Sequence, residues 1–244
     1  MQSTTDPAPP RSRPTLVDYY RVNRGGGLFT EATGQWVGAV VASTAYRLNL
    51  APTVLTLFNL VIGLGTSITV MWLAGPVADG TMPAWPLGLL ALIGWQVAYA
   101  FDCADGQLAR ATGQASPAGA RVDILCDVAS QSALVTVLAT TALAQVPDTP
   151  VWLVTLFAAT WMTNLVTSAL QSGPAAASMV PSQSLVVRVA KLIRDPGAVF
   201  FVAGLILLTA PAATVWFIAV FTVVNGGFLL ASIAFAARRA LSTR

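Results

Sequence analysis

The stretch DCADGQLARATGQASPAGARVDILCD, residues 102–127, decides how the chain is read. It holds four carboxylates, Asp102, Asp105, Asp123 and Asp127, out of ten acidic residues in the protein. Apolar runs flank it, AWPLGLLALIGWQVAYAF (84–101) before and VASQSALVTVLATTALA (128–144) after. Acids at the edge of a membrane-spanning segment are costly to keep and mark a functional site by default.

The spacing brings the acids together. On a helix, Asp102 and Asp105 share a face, and Ala109 and Arg110 return to it two turns later. Gly119, Asp123 and Asp127 form a second stripe at four-residue intervals. A short turn at Gly113 to Pro117 then aims both stripes into one hollow, where Gly106, Ala109 and Gly119 leave room. Carboxylates without a single histidine suit Mg²⁺ or Mn²⁺ better than zinc. Two such cations beside a phosphate form a clamp for in-line displacement at phosphorus, and Arg110 is a fitting phosphate partner. The competing reading makes each acid a solvated helix cap, which suits one aspartate better than four in register.

These residues resemble the signature of the CDP-alcohol phosphotransferases, D-x2-D-G-x2-A-R-x8-G-x3-D-x3-D. Asp102, Asp105, Gly106, Ala109, Arg110, Gly119, Asp123 and Asp127 fill its eight fixed positions. The resemblance implies that an alcohol attacks the lipid-side phosphorus of a CDP-alcohol and that CMP leaves. It implies two divalent cations, Mg²⁺ or Mn²⁺, held by Asp102, Asp105, Asp123 and Asp127, with Asp127 also the base. It assigns Gly106, Ala109, Arg110 and Gly119 to the nucleotide and its pyrophosphate. CDP-diacylglycerol is the expected donor and a polar alcohol the acceptor, in phospholipid synthesis. Arg21 to Phe29 loosely resembles members that transfer to phosphoinositol, so phosphoinositol-type transfer from a soluble CDP-alcohol is the alternative. A homodimer is expected from the family and from spans rich in Ala, Ser and Thr.

Composition agrees with a membrane protein. Apolar residues make up 55% and charged residues 9%, against about 25% charged in soluble domains. Nucleic-acid binding is excluded by the lack of a dense basic patch. Cys103 and Cys126 read as small buried residues beside the acids, since two thiols without histidine do not complete a usual zinc set.

In order, residues 1–17 read as a disordered tail and 18–50 as a juxtamembrane region. Within the latter, Leu28 to Leu48 is expected to be an amphipathic helix lying on the membrane surface. Residues 51–238 then form an all-α domain of six transmembrane helices, and 239–244 a tail. The spans are expected at about 52–75, 83–110, 117–144, 150–171, 196–209 and 211–237, with Pro76 to Met82 as a loop. The first opens Pro52-Thr53-Val54-Leu55-Thr56, where the family often has Asn in place of Thr53.

Charge fixes an orientation. All 13 basic residues fall before the first span, between spans two and three, between four and five, or after six. With six spans these four groups lie on one side, the cytoplasmic side of an inner membrane, together with both termini and the acids. Arg121, Arg188, Lys191 and Arg194 are candidates for a phosphorylated acceptor, or else ordinary cytoplasmic anchors. A cation or proton transporter is the rival of a different class, but the acids sit at helix ends and few ionisable residues continue across. A catalytically silent member is the third reading, opposed by the intact signature.

Overall fold

Prolines and capping side chains set where the helices start. Pro52, Pro117 and Pro196 each occupy a first turn, where the missing N–H is not needed. Ser116 and Asp195 accept the free N–H groups of the turns that follow them. Gly113 ends its helix with φ +73°, a left-handed position that suits glycine.

The computed structural model describes residues 13–22, 27–170 and 195–242, and these are helical with short turns. The order is α1 (Leu16–Arg21), a π-helical turn (Thr30–Gly34) running into α2 (Gln35–Arg47), then α3 (Pro52–Ala78), α4 (Ala84–Thr112), α5 (Pro117–Gln145) and α6 (Val151–Leu170). After the connection come α7 (Pro196–Thr209), a 3-10 turn (Pro211–Ala213) and α8 (Thr214–Ser242). Six apolar helices thus stand where six spans were expected. Four segments are long and apolar enough to cross a membrane: Pro52–Ala78, Ala84–Thr112, Pro117–Gln145 and Pro211–Ala231. Val151–Val166 and Pro196–Thr209 are apolar but shorter; the 14 residues of α7 rise only about 21 Å against a hydrocarbon core of about 30 Å.

Helix α4 is the hub. On one side Leu87, Ala91 and Trp95 join a core with Leu134, Leu138, Phe157, Trp161, Ile218 and Phe221. Further along, Ala104 and Leu108 join a second core with Tyr19, Ala39, Ala42, Ala45 and Leu55. Helices α4 and α7 meet at backbone distance. A Cβ on Gly88 would stand 2.2 Å from Leu208 Cα, and one on Gly204 would stand 2.5 Å from Leu92 Cα. This pairing also shows that α7 ends beside the start of α4.

Trp72, Trp85, Trp152 and Trp216 gather at that same end of the bundle, near the end of α3 and the starts of α4, α6 and α8. All four are more than half exposed. Exposed tryptophans toward one end of the helices, with exposed Val61, Ile68, Ile93 and Val223 on the helix flanks, fit the pattern of a membrane protein. The acids lie at the opposite end.

Three local details differ from the sequence reading. Pro76 lies inside the last turn of α3 rather than in the loop. Its carbonyl accepts from Met82 N at 3.1 Å and Thr81 Oγ1 at 3.0 Å, folding the following turn back onto the helix. Helix α1 begins at Leu16, just inside the stretch read as tail, because Thr15 and Asp18 form a capping box. The segment from Leu28 to Leu48 is helical, but it turns small residues inward. Gly38, Ala39, Ala42 and Ala45 are buried while Trp36, Val37 and Val40 are exposed.

Candidate active site

The turn at residues 113–116 folds α5 back along α3, which also packs on α4, and brings the two stripes of acids to face each other. Ligand oxygens of Asp102, Asp123 and Asp127 all lie within 4.8 Å of one another. Asp102 accepts a hydrogen bond from Asn59 Nδ2 at 3.0 Å. Asp105 stands outside this group of three. It is 4% exposed and accepts from Thr56 Oγ1 at 2.5 Å. Helix α3 therefore aims both acids of α4.

A cavity of about 150 Å³ opens beside the cluster. Asp105, Gly106, Ala109, Arg110, Gly119 and Asp123 line it, with Pro52, Thr53 and Thr56 from α3. Arg110 Nε donates to the Val22 carbonyl at 2.8 Å. A Cβ on Gly106 would stand 2.8 Å from both terminal guanidinium nitrogens of Arg110, so the bare glycine lets the guanidinium lie close along the helix. Gly119 N donates to the Ser116 hydroxyl at 3.1 Å, at the start of α5.

The donor set suits hard divalent cations: carboxylate oxygens from two helices converge, with no imidazole or thiolate among the three ligands. A planar guanidinium beside small residues suits a phosphate oxygen. The sequence model of the CDP-alcohol phosphatidyltransferases matches residues 49–235. The chain belongs to the CDP-alcohol phosphatidyltransferase family. Neither the curated proteins nor the solved structures give a match to it. The family transfers a phosphatidyl group from a CDP-alcohol and is in general dependent on divalent cations.

All eight signature residues of this family member lie in the cluster or line the cavity beside it. Arg121 does not line the cavity and is exposed on the outer side of α5. Arg188, Lys191 and Arg194 lie outside the described residues. Cys103 and Cys126 are free thiols, both buried. Sequence reasoning missed Asn59, which carries no signal of its own in an apolar span. It named Thr56 but not its hydroxyl's partner on α4. It also missed Asp195, a buried acid whose signal was its place directly before Pro196 at a helix start.

Proposed function

We propose that this phosphatidyltransferase moves the substituted phosphate of CDP-diacylglycerol to a polar alcohol, releasing CMP, in phospholipid synthesis. The observation that carries the reading is the convergence of Asp102, Asp123 and Asp127 from two helices within 4.8 Å, next to a cavity lined by the rest of the signature.

In this reading Asp102, Asp105, Asp123 and Asp127 would hold two divalent cations, Mg²⁺ or Mn²⁺. Bound there, the cations would offset pyrophosphate charge and stabilise the CMP leaving group. The chain's own residues do the remaining work. Arg110 pairs with a phosphate oxygen, and its guanidinium is already aimed by the Val22 carbonyl. Gly106, Ala109 and Gly119 keep the cavity open for the nucleotide. Asp127 takes the proton of the acceptor hydroxyl as the acceptor oxygen bonds to phosphorus and the bond from phosphorus to CMP breaks. Arg188, Lys191 and Arg194 are kept as candidates for a phosphorylated acceptor, with cytoplasmic anchoring as the alternative, while Arg121, exposed outside the cavity, is read as a surface anchor.

We further read α3 to α8 as six spans within residues 51–238. Trp152 and Trp216, at the starts of α6 and α8, are exposed like Trp85 at the start of α4, which supports these three helices starting at one membrane face. The basic groups then make the acid-bearing end cytoplasmic in an inner membrane, with the N-terminal segment along that surface, the last turn of α8 carrying on to Ser242 past the expected start of the tail at 239, and a homodimer as the assembly. The outward-facing Trp36, Val37 and Val40 of α2 suit contact with lipid.

The test is direct. Purified protein receives CDP-diacylglycerol, Mg²⁺ or Mn²⁺ and one candidate acceptor at a time, and the lipid product is weighed by mass spectrometry. The reading expects stoichiometric CMP and a new phospholipid with one class of acceptor. Absence of CMP release across serine, glycerol phosphate and inositol phosphate acceptors contradicts it.

A further inference from the structure

Asp195 is a carboxylate 1% exposed at the meeting point of two helix N-termini. Its Oδ1 accepts from Gly197 N at 3.0 Å and Ala198 N at 3.3 Å, which caps α7. Its Oδ2 accepts from Phe29 N at 2.9 Å and Thr30 N at 3.0 Å. Those two N–H groups open the helix that leads through the π-helical turn into α2. One side chain thus caps two helices, where the two positive dipole ends favour a negative charge.

The junction reaches α4 through Thr30. The Thr30 hydroxyl, fully buried, donates to Asp195 Oδ1 and shares a hydrogen bond of 2.9 Å with the Tyr99 hydroxyl. Gly197 N also approaches it at 3.3 Å. Tyr99 lies on α4 one turn before Asp102 and Cys103. The same flank of α4 is packed by bare backbone: a Cβ on Gly34 would stand 3.2 Å from the Tyr99 ring, and one on Gly38 would stand 2.7 Å from Cys103 Cβ. Two helices, α7 and the one that runs through the π-helical turn into α2, are therefore pinned to α4 at the turn that carries the first acid of the site.

We propose that Asp195, Thr30 and Tyr99 are positioning residues that fix the rotation of α4 at Asp102 and so set the geometry of the carboxylate cluster. The inference rests on the metal-site reading above. None of the three needs to touch substrate. Displacing a positioned group by about 1 Å is enough to cost about a hundredfold in a preorganised site, and partners behind metal ligands are worth about ten- to a hundredfold in metal affinity.

The test uses the full chain in lipid nanodiscs and two substitutions that each remove one hydroxyl, Thr30→Val and Tyr99→Phe. Mn²⁺ affinity is read from the loss of its free paramagnetic signal on titration, thermal unfolding is followed in parallel, and CMP release is measured separately. The expected result is an affinity for Mn²⁺ weakened about tenfold in either variant, no further loss in the double variant because the two act as one unit, and recovery in Thr30→Ser. Should Thr30→Val not fold, Tyr99→Phe carries the test. Unchanged Mn²⁺ affinity with a lowered unfolding temperature means the network is structural only and overturns the proposal, as does a wild-type chain that binds no Mn²⁺. A wild-type chain that binds Mn²⁺ but releases no CMP contradicts the transferase reading instead and leaves the affinity shift readable.

Discussion

On α4, Asp102 and Asp105 are met by uncharged donors from another helix, Asn59 at 3.0 Å and Thr56 at 2.5 Å. On α5, Asp127 lies against Asp102 itself, and the helix that carries it turns Arg121, Ile124 and Leu125 outward. The α4 half of the signature is thus held by tertiary contacts, with a second grip on its far flank from Thr30 and from Gln107 Nε2, which donates to the Gln35 carbonyl at 3.0 Å. The α5 half starts at Ser116 and Pro117 and packs along α3. In this comparison α4 is the fixed wall of the proposed site.

In the proposed reading the α5 acid Asp127 is the base and the α4 acids are its positioned partners. Asp127→Asn is expected to cause the largest effect, a fall in kcat of about a thousandfold, as removal of a base does, while CDP-diacylglycerol still binds. Single-turnover CMP release with a separate nucleotide-binding titration checks it. Near-normal turnover in this variant would move the base elsewhere.

Loss of an aiming donor on α4 comes next. Asn59→Leu or Thr56→Val leaves a buried carboxylate oxygen without its partner, a loss of about 2 kcal/mol for a bond to a charged acceptor. The expected outcome is a weakening of metal activation by about tenfold or more, with Thr56→Ser close to wild type. A Mg²⁺ titration of activity separates this from a simple loss of folded protein. If both variants match wild type, the fixed-wall half of the comparison is wrong.

These contacts also show what was legible in the sequence and what was not. The acid stripes, the turn at Gly113 and the start at Pro117 follow from spacing within one stretch, so local rules reach them. The six apolar helices follow from hydropathy for the same reason. The pairing of Asn59 with Asp102 depends on the register of α3 against α4, which no local pattern encodes. Asp195 is further from local reading still: Phe29 and Thr30 reach it across more than 160 residues of chain. The capping box at Thr15 and Asp18 was legible in principle, since Thr-x-x-Asp before an apolar run is a known start. Pro76 misled because a proline near a helix end reads as a break, while the turn that follows it supplies donors to its carbonyl.

Arg121→Gln is expected to show the smallest effect. The side chain is exposed and does not line the cavity, and charges at such rims change encounter rates more than turnover. KM for the donor should stay within roughly threefold of wild type. A larger rise in KM for the acceptor alone would assign Arg121 to acceptor capture.

The central claim is that Asp102, Asp123 and Asp127 hold divalent metal between α4 and α5. Crystals of the protein soaked in Mn²⁺ and measured for anomalous scattering address it most directly. The account predicts manganese peaks among these three carboxylates, lost in Asp102→Asn. Peaks only elsewhere, or carboxylates turned apart with no manganese between them, would contradict it.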